Sequence, residues 1–161
     1  MENICSVCAK EPGSHSFTYL CKTNKADLFE YVFYTCVGEA KKYKDAEGIV
    51  EHYTKCLNLM NPDKWIWVIN ADGISAKHYT ELKTIKRLAL LVKEYGKVEN
   101  IFVVNAPGLL DIVLKIVKPI LDKETFGKIK VIKQDNLIKK IDLSPDDKNT
   151  LNNMLTRKYD V

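Results

Sequence analysis

The sequence predicts an α/β fold, a mainly parallel sheet covered by helices, and three observations carry that prediction. Short apolar runs rich in Trp, Val, Ile and Phe, such as "WIWVIN" and "NIFVVN", are bounded by turn residues. Longer stretches carry apolar residues at helical spacing. The two kinds alternate along the chain, which is the pattern of βα units.

Taken in order, "SFTYLCK" reads as a strand, "KADLFEYVFYTCVGEAKKY" as an amphipathic helix, and "EGIVEHYTKCLNLM" as a second helix that stops before Pro62. "WIWVIN" has the aromatic and β-branched composition of a buried strand, and "AKHYTELKTIKRLALLVKEY" follows as one long helix ended by Gly96. "NIFVVN" is the next strand, Asn105 to Leu121 the next helix, and "KIKVI" a further strand. "DNLIKKI" and "SPDDKNTLNNMLTRKY" supply helical pieces, the second with Ser144 as N-cap and Pro145 at its first position. Without a repeat, linker or low-complexity tract, residues 17–161 are expected to form a single domain behind a loosely held tail, residues 1–16.

The helix over Asn105 to Leu121 is unusual. Its polar residues Asp111, Lys115 and Lys118 form one narrow stripe, while the apolar ones spread over roughly 200°, well beyond the ~100° that seats a helix on one core. Both flanks need cover, from protein or from an apolar ligand.

Composition is that of an ordinary globular domain: 161 residues, 46% hydrophobic and 29% charged. The N-terminus has no apolar signal core, and no run approaches the ~18 uninterrupted apolar residues of a membrane span. A soluble, intracellular protein is expected. Charge is uneven: residues 74–140 carry 14 basic and 7 acidic groups, against 8 and 10 in residues 1–73. This basic excess shares a segment with the apolar helix and suits an anionic surface such as phospholipid headgroups, or is simply a solvated face. Nucleic acid is not expected, because no aromatic platform or recognised binding motif accompanies the charge.

Five cysteines, Cys5, Cys8, Cys21, Cys36 and Cys56, make an odd count that points to reduced thiols. Cys5-x-x-Cys8 with His15 and Cys21 offers four soft ligands to zinc. His15 and Cys21 are not spaced as a second pair, however, so the favoured reading is incidental cysteines, with no metal or cofactor assigned. Asp72, Ser75 and His78 follow "WIWVIN" where open α/β sheets place ligands. No Gly-x-Ser-x-Gly elbow, Gly-x-Gly-x-x-Gly loop, Gly-Lys-Ser/Thr or His-Glu-x-x-His supports catalysis. Asp72-Gly73 reads as a turn and Ser75 as a helix cap, and a non-enzymatic protein is expected.

Against this background "WIWVINADGIS", "IFVVNAPGLLDIVLKIVKPIL" and "LDKETFGKIKVI" resemble the CRAL-TRIO lipid-binding family over roughly residues 64–133. The resemblance is most specific at Asn105-Ala106-Pro107, Lys118-Pro119-x-Leu121, Thr125 and Lys128-Ile129. It implies a βα superhelical sheet flooring an apolar cavity, with the helix after Asn-Ala-Pro as a gate. The expected lining is Leu109, Leu110, Ile112, Val113, Ile116, Val117 and Ile120 of the gate, with Val103 and Asn105 before it. Because strand side chains alternate, either Ile66, Val68 and Asn70 or else Trp65, Trp67 and Ile69 complete it, and the first set is taken.

The departures matter as well. Asn70 stands where the family has aspartate, and Tyr95-Gly96-Lys97-Val98 replaces Tyr-Pro-Glu-Arg, putting Lys97 where a headgroup-associated glutamate is found. Lys128 matches the family lysine that approaches a headgroup phosphate. Leu143-Ser144-Pro145-Asp146 replaces the closing Leu-Pro-x-x-Phe/Tyr-Gly-Gly. The resemblance therefore implies a divergent, minimal member that binds, transfers or senses a hydrophobic lipid, with a phospholipid held by Lys128 and Lys97 as the expected form. The protein is then cytoplasmic and docks transiently on anionic membranes through Lys115 and Lys118. The alternative is a regulatory protein-interaction module on a STAS-like βα fold, with Ser75 as a phosphosite and a protein partner. The Asp-Ser-Ser/Thr-Gly signature of those domains is absent.

Overall fold

In the computed structural model, which describes residues 4–156, five strands lie side by side in sequence order. They are β1 (Thr18–Lys22), β2 (Glu30–Cys36), β3 (Lys64–Asn70), β4 (Val98–Val104) and β5 (Ile129–Val131). β2 to β5 run parallel, and β1 is antiparallel to β2. The helices are α1 (Ser6–Lys10), α2 (Ala46–Met60), α3 (Ala76–Tyr79), α4 (Leu82–Tyr95), α5 (Leu110–Val117), α6 (Lys123–Phe126), α7 (Gln134–Lys140) and α8 (Pro145–Thr156).

Each crossover advances one place in the same direction, so right-handed connections carry α2, α4 and α5 onto one face. On that face Phe33, Trp65, Trp67 and Ile101 pack against Ile49, Tyr53 and Leu57 of α2 and Ala89 and Val92 of α4. The alternate residues, Val32, Tyr34, Ile66, Val68, Phe102 and Val104, pack against Leu137 of α7 and Leu151 and Leu155 of α8. Both faces are thus covered, as parallel sheets require.

Four expectations change. "EYVFYTC" is the inner strand β2, not part of a helix: all its residues except Tyr31 are buried, so the run is apolar on both faces and its β-branched and aromatic residues decide. The long helix predicted before Gly96 is two, α3 and α4, separated at Thr80 and Glu81, where the Thr80 hydroxyl donates to Ala76 O at 2.8 Å. The helix expected from Asn105 to Leu121 is regular only over α5, because Asn105 turns the chain at φ 59° and Pro107 and Gly108 delay the first turn. Within the expected tail, Cys5, Cys8, Ser14 and His15 are buried. Residues 13 and 14 are tied to the loop after β2 through Lys41 N–H to Gly13 O (3.1 Å) and Lys42 N–H to Ser14 O (2.8 Å).

The element ends follow local chemistry. Asn61, left-handed at φ 45°, ends α2 just before Pro62. Ser144 caps α8 by accepting from Asp147 N–H at 3.2 Å.

Candidate functional site

A cavity of about 210 Å³ lies between the sheet and α5, beside α2 and α4. Thr35, Trp67, Ile69, Ile101, Val103 and Ile129 form its floor. Tyr53 and Ile49 of α2 and Leu88 and Val92 of α4 form its walls, and Leu110, Val113, Leu114, Val117 and Leu121 roof it. These roof residues recur at i, i+3, i+4, i+7 and i+11, one helical face.

The polar groups on the floor are spent on the protein itself. Trp67 Nε1–H donates to Thr35 Oγ1 at 2.9 Å, the Thr35 hydroxyl and Tyr53 hydroxyl are 3.3 Å apart, and Tyr53 donates to Ser16 O at 3.1 Å. Thr84 donates to Tyr43 O at 3.0 Å. Burial raises the Tyr53 pKa well above the ordinary tyrosine value, so the phenol stays neutral. What these groups leave for an occupant is carbon.

The structure divides the expected lining. Val103, Leu110, Val113 and Val117 border the cavity. Leu109 and Ile112 point outward, 48% and 41% exposed, Ile116 is half-buried, and Ile120 packs against the core beside the cavity. Of the two strand sets, Trp67 and Ile69 face the cavity. Ile66 and Val68 face α7 and α8, because β3 side chains alternate and the register with β4 fixes which set points where. Asn70 and Asn105 also lie outside the lining. Asn70 donates to Tyr34 Oη at 3.0 Å and accepts at Oδ1 from Asp72 N–H and Asn105 Nδ2, each at 3.1 Å, while Asn105 also donates to Leu155 O at 3.1 Å. This network ties the C-terminal ends of β3 and β4 to α8.

Neither expected headgroup lysine lines the cavity. Both precede their strands, whereas Val37, Ile74 and His78 extend the lining beyond the opposite, C-terminal ends. Lys128 Nζ donates to Val98 O at 2.9 Å, and Lys97 is exposed at φ 64°. Lys115 and Lys118 are exposed on the outer side of α5 with Asp111, and neither lysine forms an ion pair among the described residues. Ser75 caps α3, with His78 Nδ1 accepting from its N–H at 3.0 Å, so these residues serve the turn as the sequence suggests.

Sequence reasoning missed the contributions of α2 and α4. Their signal was visible as the stripes Ile49, Tyr53, Cys56 and Leu88, Val92, but a stripe does not say whether it meets protein or space. It also named three members of a cluster, Cys5, Cys8 and His15, but took Cys21 instead of His52 as the fourth. Cys5, Cys8, His15 and His52, all buried, bring one ligand atom each to within 4.8 Å of all the others, and Cys21 sits on the opposite face of the sheet. Among the described residues no helix is long and apolar enough to cross a membrane.

A family model described as the CRAL/TRIO domain matches residues 15–147. Among solved structures, that of Sfh5 matches with a TM-score of 0.60 and 16% identity, over 80% of this chain and 50% of the Sfh5 chain. The chain thus spans about half the length of that structure, and at this identity the likeness is one of fold. Comparison with curated proteins gives no match. A family model running from just before β1 into α8, over a sheet whose apolar cavity is roofed by the helix after the Asn105 turn, puts this chain in the CRAL/TRIO family of lipid-binding domains.

Proposed function

We propose that this chain is a carrier or sensor that holds one aliphatic chain of a lipid between the sheet and α5, without converting it, and exchanges it at anionic membranes. One observation carries the reading: α5 has no fully buried residue, yet it roofs a space floored by apolar side chains. An apolar helix resting on space gains stability when that space fills, since buried apolar area contributes about 25 cal/mol per Å². The volume is below the roughly 300–1,000 Å³ of drug-sized pockets, which fits a single chain and requires α5 to move for anything larger.

Membrane exchange is supported by what α5 turns outward. Exposed Leu109 and Ile112 sit on the same short helical segment as exposed Lys115 and Lys118. Apolar anchors beside two exposed ammonium groups, that of Lys118 lying 5.9 Å over the Phe126 ring, suit an anionic leaflet, where each lysine contributes about 1 kcal/mol within a Debye length of about 8 Å. Headgroup capture by Lys97 or Lys128 is not part of this reading.

Trp67 on the cavity floor supplies the test. Organic extraction of the purified protein should yield a lipid, and fatty acids brominated along the chain should quench Trp67 fluorescence saturably. A protein that yields no lipid and shows no saturable quenching would defeat the carrier reading, and Leu109 and Ile112 would then mark a surface for another protein.

A further inference from the structure

We infer that Cys5, Cys8, His15 and His52 form a structural zinc site that fastens the N-terminal segment to the cavity wall. Cys5 Sγ lies 3.3 Å from His15 Nδ1 and 3.4 Å from His52 Nδ1, and Cys8 Sγ lies 3.6 Å from His15 Nδ1. With Zn–S of about 2.3 Å and Zn–N of about 2.0–2.1 Å, the edges of a tetrahedral site span about 3.4–3.8 Å. The contacts match those edges within a few tenths of an ångström. Hydrogen bonding between thiols and imidazoles needs only pairs in contact. All four atoms lie within 4.8 Å of one another, so the remaining edges exceed the tetrahedral span by at most about 1 Å.

The surroundings set both imidazoles for coordination. His15 Nε2 is 3.0 Å from Asp45 Oδ2, and His52 Nε2 is 2.9 Å from Phe17 O. Each Nε2 therefore carries the proton, which leaves both Nδ1 lone pairs aimed into the cluster. A carboxylate or carbonyl behind the far nitrogen is the arrangement that orients metal-bound histidines. On the cysteine side, Cys5 Sγ accepts Cys8 N–H at 3.3 Å across the turn that opens α1.

The ligand set selects the metal and its role. Two thiolates and two imidazoles in tetrahedral array suit zinc, and four protein ligands leave no open position for a substrate. All four residues are buried, so the role is structural. Cys5 and Cys8 lie before the segment matched by the family model, His15 is its first residue and His52 lies within it. The metal thus joins what precedes the family domain to α2, whose Tyr53, next to His52, lines the cavity.

The test uses the untagged full chain. Dialysis against zinc followed by elemental analysis should find a single zinc ion per chain, and cobalt in its place should give the visible bands of a tetrahedral ion with thiolate charge transfer. Chelation should lower the melting midpoint by at least about 5 °C, since a bound metal stabilises by mass action. Cys8→Ser and His52→Gln should lose the metal while Cys21→Ser keeps it. Should the first two variants fail to fold, the cobalt spectrum of the parent protein decides, because charge transfer requires the thiolates. No bound metal above background, an octahedral cobalt spectrum, retention of the metal by Cys8→Ser, or a Cys5–Cys8 disulfide in the native protein would each overturn the assignment.

Discussion

On one face of the sheet, Val32, Ile66, Val68 and Val104 meet Leu137, Leu151 and Leu155 of α7 and α8. Leu137 and Leu151 have no solvent exposure at all. On the other face, Phe33, Trp65 and Trp67 meet α2 and α4, but Trp67, Ile69, Ile101 and Val103 also border about 210 Å³ of space under α5, a helix without a fully buried residue. The strands are the same and the side chains alternate between the two faces. The difference therefore lies in the covering helices: α8 gives up its apolar residues to the core, whereas α5 sits over space and keeps Leu109 and Ile112 outside. One face is spent on stability and the other is left free to take a ligand.

The largest expected effect breaks the closed face. Leu151→Ala should cost about 2–5 kcal/mol by the transfer and cavity terms of a buried leucine. Val113→Ala, whose side chain already borders space, should cost under about 1 kcal/mol. Denaturant melts of both variants check this, and equal losses would mean that α5 is as tightly packed as α8.

Next comes the network that ties the strand ends to α8 on the closed face. Asn70→Ala removes the donor to buried Tyr34 Oη and the acceptor shared by half-buried Asp72 N–H and exposed Asn105, whose amide keeps Leu155 O, so a loss of about 2 kcal/mol is expected, within the about 1–3 kcal/mol for a stranded buried group. Asn70→Asp with a similar loss at neutral pH, partly recovered on acidification, would sharpen the point that the site wants a neutral side chain.

On the open face, the double variant Lys115→Glu, Lys118→Glu should fold normally. Its binding to anionic vesicles should weaken by about 2 kcal/mol or more, roughly 30-fold, with the parent's affinity falling as salt rises. Sedimentation with vesicles of graded anionic content reads this directly. Binding that ignores charge and salt would turn attention to Leu109 and Ile112.

The smallest effect is expected at Lys128. Its ammonium bonds the Val98 carbonyl, so Lys128→Met should cost about 1 kcal/mol of stability and leave quenching by brominated fatty acids unchanged. A selective loss of ligand binding would return Lys128 to the site.

How much was legible follows from which interactions are local. β3, β4 and α2 were readable because composition, turn residues and helical spacing agreed over one segment. Ser144 and Gly96 marked helix ends by their own backbone chemistry. β2 was misread because its apolar positions are buried on both faces, so the run carries no period to tell strand from helix. The gate residues were half legible: the breadth of the apolar arc on α5 was in the sequence, but which flank faces the sheet was not.

By itself the amino-acid order determined an alternating α/β chain, a basic segment and one helix with too much apolar surface, since these depend on neighbours a few residues apart. Only the tertiary structure decided that Trp67 and Ile69 rather than Ile66 and Val68 face the cavity, that Lys128 serves a carbonyl, and that His52 rather than Cys21 joins Cys5, Cys8 and His15. A strand's two faces are equivalent until register with β4 and the side taken by each crossover helix distinguish them, and His52 reaches the cysteines only because α2 folds back across the sheet.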